Sequence, residues 1–206
     1  MNIVLSDNGR DDIAYKMFQQ TAYPSWIYPI LQGATTIWER WNSYTLKNGF
    51  GPVEMNSFNH YSYGAIQDWM MAYSAGIQRD EQHPGYKHFF LQPRIGGRLD
   101  HVHASFQSVY GTIISRWNSE NKTITDNTDA ANYGYTYTAS VPANTTATLT
   151  LPVKQGRKLT IKEGKKGISA KKTADDTFQC ELAPGNYTFI VKWAYKYKLL
   201  QRGLIQ

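Results

Sequence analysis

One carboxylate stands between two indoles in the run Gly33-Ala34-Thr35-Thr36-Ile37-Trp38-Glu39-Arg40-Trp41. One imidazole, His60, follows in Asn56-Ser57-Phe58-Asn59-His60-Tyr61. A carboxylate set against apolar rings is suited to acid or base work near neutral pH. Flat aromatic faces match the apolar faces of pyranose rings, and neighbouring polar groups then fix orientation. Glu39, His60, Trp38, Trp41 and Asn59 are therefore the materials of a sugar site. Each also has a plainer reading. A glutamate beside tryptophan can sit on a helix surface, a lone histidine can be structural, and either tryptophan can belong to the core.

The elements that must position these groups follow from periodicity. Asp7 or Asn8 can cap a helix to about Gln20, with Ile13, Ala14, Met17, Phe18 and Thr21 on its apolar face. Tyr23-Pro24 stops it. Ser25 can start a short helix to Leu31, tolerant of Pro29 near its start, and Gly33 closes it. Ala34 to Glu39 reads as a loop. Asn48-Gly49-Phe50-Gly51-Pro52 is a turn cluster on a rim loop. A long helix is predicted from Ser57 to about Gln78, with Phe58, Tyr61, Ala65, Trp69 and Tyr73 as its buried stripe. His60 then falls in its first turn, where oxygen-rich ligands are favoured.

After the polar stretch from Arg79 to Tyr86 the period switches from 3.6 to 2. Strands are predicted over residues 87–95, 99–110, 111–119, 133–141, 145–152, 158–163, 177–182 and 187–193. Pro184-Gly185-Asn186 is predicted as a hairpin turn. Eight short strands suggest a β-sandwich.

Composition narrows the classes. The chain has 206 residues, 41% of them hydrophobic, and a formal net charge of +6. No apolar run is long enough to span a membrane, and the N-terminus has no signal-peptide pattern. The single cysteine, Cys180, precludes an internal disulfide. Residues 1–83 carry 5 Lys+Arg against 8 Asp+Glu, whereas residues 84–206 carry 17 against 8. The basic density lies mostly between Lys154 and Lys172, without interleaved stacking residues, so it reads as a solvated turn region rather than a nucleic-acid surface. His101 and His103 share a strand face at spacing compatible with a metal, but no third ligand is evident. The expected metal set is none.

The run from Ala22-Tyr23-Pro24-Ser25-Trp26 through Gly33 to Trp41, then Ser57-Phe58-Asn59-His60-Tyr61-Ser62-Tyr63-Gly64, resembles the bacterial α-L-rhamnosidases of glycoside hydrolase family 78. The resemblance is specific over residues 22–69 and general afterwards. It implies an α + β chain in two parts: the C-terminal portion of an (α/α)6 helical barrel over 1–83, and an antiparallel β-sandwich over 84–193. A basic tail would occupy 194–206. It implies inverting hydrolysis of terminal α-L-rhamnose, with Glu39 as general base, no cofactor, and His60 contacting the sugar; Trp38, Trp41 and Asn59 are placed with them in the substrate site, either indole alternatively in the core and Asn59 supporting the loop. The family's general acid lies upstream of any segment matched here, so the chain alone is expected to be inactive or nearly so. Two carboxyl groups roughly 6.5–9.5 Å apart are needed for inversion. The open barrel face is expected to find a partner, either the N-terminal part of the enzyme or a second copy. The resemblance leaves the compartment open: periplasmic, extracellular or cytoplasmic. The rival reading is a catalytically inactive remnant, or a carbohydrate-binding module built on the β-sandwich.

Overall fold

Gly9 divides the first predicted helix in two. The computed structural model describes residues 1–121, 130–164, 168, 170–172 and 176–194. It begins with α1 (Asn2–Asp7) and α2 (Asp11–Phe18). Between them Gly9 takes φ +71°, a conformation that costs glycine little and other residues more. Asn8 therefore ends a helix instead of starting one, and its side-chain amide donates to the Val4 carbonyl at 2.8 Å. The two helices close around Trp69, which packs edge-on to Tyr15 and against Phe18 and donates its indole N–H to Ser6 Oγ at 2.9 Å.

α3 (Ile27–Leu31) forms as expected. The Ser25 hydroxyl, one residue ahead of the Trp26 N-cap, accepts the Tyr28 amide at 3.1 Å and satisfies a donor of the first turn. The turn cluster makes a small hairpin of β1 (Tyr44–Thr45) and β2 (Gly49–Phe50).

The long helix predicted from Ser57 is not there. Ser57 to His60 is irregular, with a bend at Phe58-Asn59. A 3-10 turn occupies Ser62–Ala65, α4 covers only Ile66–Trp69, and a π turn follows over Met70–Ser74. Gln78, expected at the helix end, lies in β3 (Ile77–Arg79). Gly76, with φ +80°, turns the chain between them.

Contacts divide the chain into Met1–Met70 and Met71–Gln206. Strand β3 therefore belongs to the second unit, and the division falls earlier than the expected residue 83. The second unit continues with β4 (His88–Leu91), β5 (His101–Ser108), β6 (Gly111–Ser119), β7 (Tyr135–Val141) and β8 (Thr146–Pro152). It then adds β9 (Arg157–Glu163), β10 (Ala170–Lys172), β11 (Thr177–Leu182) and β12 (Gly185–Trp193). One sheet runs β10-β11-β8-β4-β3 and the other β5-β6-β7-β12-β9. Among the described residues pairing is antiparallel except between β4 and β8, which run parallel, a departure from the all-antiparallel expectation. The Pro184-Gly185-Asn186 turn is also not a hairpin: β11 and β12 lie in different sheets, so this turn crosses between layers. Residues 195–206, which hold nearly all of the expected basic tail, and parts of the basic stretch fall outside the described residues.

The alternation of β7 buries Tyr135, Tyr137, Ala139 and Val141. These meet Trp117, Phe189 and Val191 of their own sheet and Phe89, Leu91, Leu149 and Leu151 of the other in one core, which makes the pair a sandwich. Each large side chain buried this way contributes roughly 1.5–3 kcal/mol. Three buried polar side chains of this core find main-chain acceptors. Trp117 Nε1 donates to the Ser74 carbonyl at 2.9 Å, Tyr135 donates to the Pro152 carbonyl at 2.7 Å, and Ser115 donates to the Ala75 carbonyl. Since Ser115 spends its proton on Ala75, the Tyr137 hydroxyl is the donor in their 2.9 Å contact.

Cys180 is buried at the same interface. Burial pushes its thiol up to about 12, with the Glu181 carboxylate adding in the same direction. Native Cys180 is expected to react with a disulfide reagent at pH 8 at least ~10²-fold more slowly than in the urea-unfolded chain, because the thiolate is the nucleophile. The sign on stability follows. The unfolded chain loses this proton first, from about pH 9, so stability is fully present below that and falls as pH rises toward 12. Equal labelling rates in the two states would contradict the burial.

Candidate active site

Glu39 and His60 are joined by a short ladder within the first unit. The Glu39 amide donates to the Ser57 carbonyl at 2.9 Å, and the His60 amide donates to the Ile37 carbonyl at 2.8 Å. The Thr36 hydroxyl donates to the Phe58 carbonyl between them. One residue, Trp38, lies between the paired positions on one side and two, Phe58 and Asn59, on the other, so the second segment bulges at Phe58-Asn59. This is why His60 is not on a helix: the backbone groups of Ser57 and His60 are committed to the 36–39 segment.

Glu39 is half-buried. Its Oε2 accepts the Ser57 amide at 2.7 Å, a charge-assisted bond that fixes the carboxylate by one oxygen. The half-buried His60 is fixed through Nδ1, which accepts the Ser62 amide at 3.3 Å. A neutral ring that accepts at Nδ1 carries its proton at Nε2, so His60 offers an N–H to a ligand. Its ring lies parallel to that of the exposed Tyr61, with centroids 5.4 Å apart. The Asn59 amide donates to Ser57 Oγ at 3.2 Å, which steadies the bulge.

The two indoles have different duties. Trp38, expected to line a sugar pocket, is buried at 7% exposure, edge-on to Phe58 and Tyr44. It anchors the ladder from beneath, because its neighbour Glu39 and its partner Phe58 belong to the two paired segments. Trp41 stacks on Tyr63 at 3.6 Å and meets Trp26 edge-on. One of its faces is taken, and it is half-buried rather than sealed. The Trp26 indole donates to the Tyr63 carbonyl at 3.0 Å, locking that stack. The rim loop is tied down by Arg40 Nη2 on the Pro52 carbonyl and Asn56 Nδ2 on the Ser43 carbonyl, each at 3.2 Å. Sequence reasoning missed Ser57 as the group that holds Glu39; a main-chain amide leaves no compositional signal.

In the second unit, His101 Nδ1 is 2.6 Å from Asp100 Oδ1 and His103 Nε2 is 3.1 Å from Asn118 Oδ1. Among the described residues a different group, Asp80, His83 and His88, brings three potential ligand atoms within 4.8 Å of one another. Its spacing, Asp-x2-His-x4-His, is legible in the sequence but less conspicuous than the closer histidine pair.

A half-buried carboxylate held by a main-chain amide, an imidazole on the same ladder, an indole stacked on a tyrosine ring and a second unit built as a β-sandwich fit a glycoside-hydrolase architecture. The family model described as the bacterial α-L-rhamnosidase six-hairpin glycosidase domain matches residues 1–74. The bacterial α-L-rhamnosidase C-terminal domain matches residues 76–166. The chain belongs to the bacterial α-L-rhamnosidase family.

Its relatives include the α-L-rhamnosidase of Streptomyces avermitilis, 42% identical over 149 residues, 72% of this chain and 13% of that protein. The α-L-rhamnosidase of Formosa agariphila is 35% identical over 195 residues, 93% of this chain and 20% of that protein. The solved structure of the Streptomyces avermitilis enzyme complexed with L-rhamnose covers 92% of this chain and 17% of its own, at 35% identity and TM-score 0.77. That of Aspergillus terreus covers 92% and 18%, at 28% identity and TM-score 0.72. The chain thus spans about a fifth or less of the relatives it matches.

Proposed function

We propose that this chain is the part of an α-L-rhamnosidase that carries the general base for inverting hydrolysis of terminal α-L-rhamnose from glycosides or polysaccharides. The observation that supports it is the Glu39–Ser57 bond on the ladder that also holds His60. With Oε2 fixed, Oε1 is the oxygen offered to water. Water oxygen attacks the anomeric carbon, its proton passes to Glu39, and the glycosidic oxygen leaves with a proton from a second carboxyl group. None of Glu54, Asp68, Asp80 and Glu81 matches the family's acid motif, and Asp80 is occupied by two imidazoles. That acid is assigned to a part of the enzyme outside these residues. The L-rhamnose complex of the Streptomyces avermitilis relative supports the choice of sugar.

His60 serves as a donor from Nε2 to a rhamnose hydroxyl, Trp41 and Asn59 shape the same edge, and Trp38 acts from below through packing. His60→Ala in the complete enzyme is expected to raise KM for an aryl α-L-rhamnoside by ~2- to 10-fold, the worth of one hydrogen bond. The test of the reaction class is the anomer first released, followed by proton NMR before mutarotation. β-L-Rhamnose supports the base assignment, and α-L-rhamnose overturns it.

A further inference from the structure

The loop between β3 and β4 turns three ligand-type side chains onto one point. Asp80 directly follows β3, His88 opens β4, and His83 lies between them. Asp80 Oδ1 accepts the Gln82 amide at 2.9 Å, which sets the carboxylate. Its Oδ2 lies 2.7 Å from His83 Nδ1 and 2.8 Å from His88 Nδ1. Asp80 and His88 are largely shielded, with side chains 12% and 16% exposed, while His83 is 55% exposed.

The far side of His88 decides its tautomer. Thr148 Oγ1 donates its single proton to Glu181 Oε1 at 2.6 Å. The 3.1 Å contact between Thr148 Oγ1 and His88 Nε2 must then run from Nε2–H to the hydroxyl. Glu181 Oε2, 3.6 Å from Nε2, reinforces that direction. With the proton of the neutral ring on Nε2, the Nδ1 lone pair points at Asp80 Oδ2. A ring nitrogen and a carboxylate oxygen 2.8 Å apart are joined by a cation, either a proton on Nδ1 or a metal ion. Metal-ligating histidines commonly donate their other nitrogen to a hydroxyl or carboxylate, which fixes the ring and raises its basicity.

We propose that Asp80, His83 and His88 bind a divalent metal ion of intermediate softness, Zn²⁺ being the best match to one carboxylate and two imidazoles, and that the ion clamps the β3–β4 connection. Tetrahedral zinc with ligand bonds of ~2.0–2.1 Å sets its donors about 3.3 Å apart. The carboxylate–imidazole separations must open slightly to reach that, and the exposed His83 ring is the one free to rotate. Water completes the shell from an adjoining groove of about 510 Å³, lined also by Lys87, Asn144 and Pro184. Among the described residues Lys87 is the one lysine or arginine lining that groove. Its ammonium is engaged by the Asn144 carbonyl and lies over the Tyr110 ring.

The experiment uses the full 206-residue chain, stripped with chelator and titrated with Zn²⁺ against a chromophoric competitor, with Co²⁺ as a spectroscopic probe. One ion per chain is expected, with low-coordinate cobalt absorption and a raised melting temperature. His83→Ala, at an exposed position the fold does not need, is expected to weaken uptake at least ~10-fold. Thr148→Val, which removes the acceptor behind His88, should weaken it ~10- to 100-fold. A His101→Ala, His103→Ala double variant is expected to bind like the parent. Absence of stoichiometric uptake, or uptake unchanged in His83→Ala, would overturn the site. So would loss of uptake in the double variant alone.

Discussion

Glu39→Gln in the complete enzyme is expected to lower kcat by ~10²–10⁴, the usual contribution of one general acid or base, with little change in KM. The substitution is nearly isosteric. A glutamine carbonyl can still accept the Ser57 amide that the carboxylate accepts at 2.7 Å, so the ladder, and with it His60, should stay in place. What is lost is the proton acceptor. A small nucleophilic anion such as azide needs no base, so it should restore part of the rate and give a glycosyl azide of inverted configuration. Pre-steady-state binding of an aryl α-L-rhamnoside and crystallography of the variant separate lost chemistry from lost structure. Wild-type-like turnover would remove Glu39 from the mechanism.

Gly76→Ala is expected to be the most damaging small substitution in the β unit. A β-carbon there would lie under 3.0 Å from Gln92 and Pro93, and the atoms it meets are main chain. The position also has φ +80°. The left-handed conformation costs an alanine ~1–2 kcal/mol, and backbone displacement by overpacking adds ~1–3 kcal/mol. A total of about 2–5 kcal/mol is a large part of the ~5–15 kcal/mol that holds a domain together. The urea midpoint followed by tryptophan emission should fall steeply, or the variant should fail to fold. Gly85→Ala is the comparison: its φ is +77°, but its β-carbon would meet only the Val109 side chain, at 3.9 Å. It should lose only the conformational part. Similar losses in the two variants would mean that the Pro93 contact yields easily.

The strands were legible because alternation is a local signal. β6 and β11 fall on the predicted residues, and β7, β8, β9 and β12 within two. β3 was missed because Ile77-Gln78-Arg79 is too short to show a period of two, and it forms only because β4 lies beside it. The helix expected from Ser57 failed for a related reason. Phe58, Tyr61, Ala65 and Trp69 have helical spacing, yet Phe58 packs on Trp38 and Trp69 on Tyr15, two separate clusters. Spacing alone cannot tell one stripe from two packing sites. Glu39 and His60 were legible through family wording; that they share a ladder depends on main-chain bonds, which composition does not encode.

The parallel match of β4 to β8 has a consequence for how the chain is made. His88 is synthesised long before its partner Thr146, and β5, β6 and β7 emerge in between. At ~5–20 residues per second on the ribosome, the β3–β4 ribbon waits several seconds with one edge unsatisfied. Closing that gap brings together distant parts of the chain, an inherently slow step. In the cell, this half of the protein acquires its layered form late, and its earliest strands are the ones that need shelter until then.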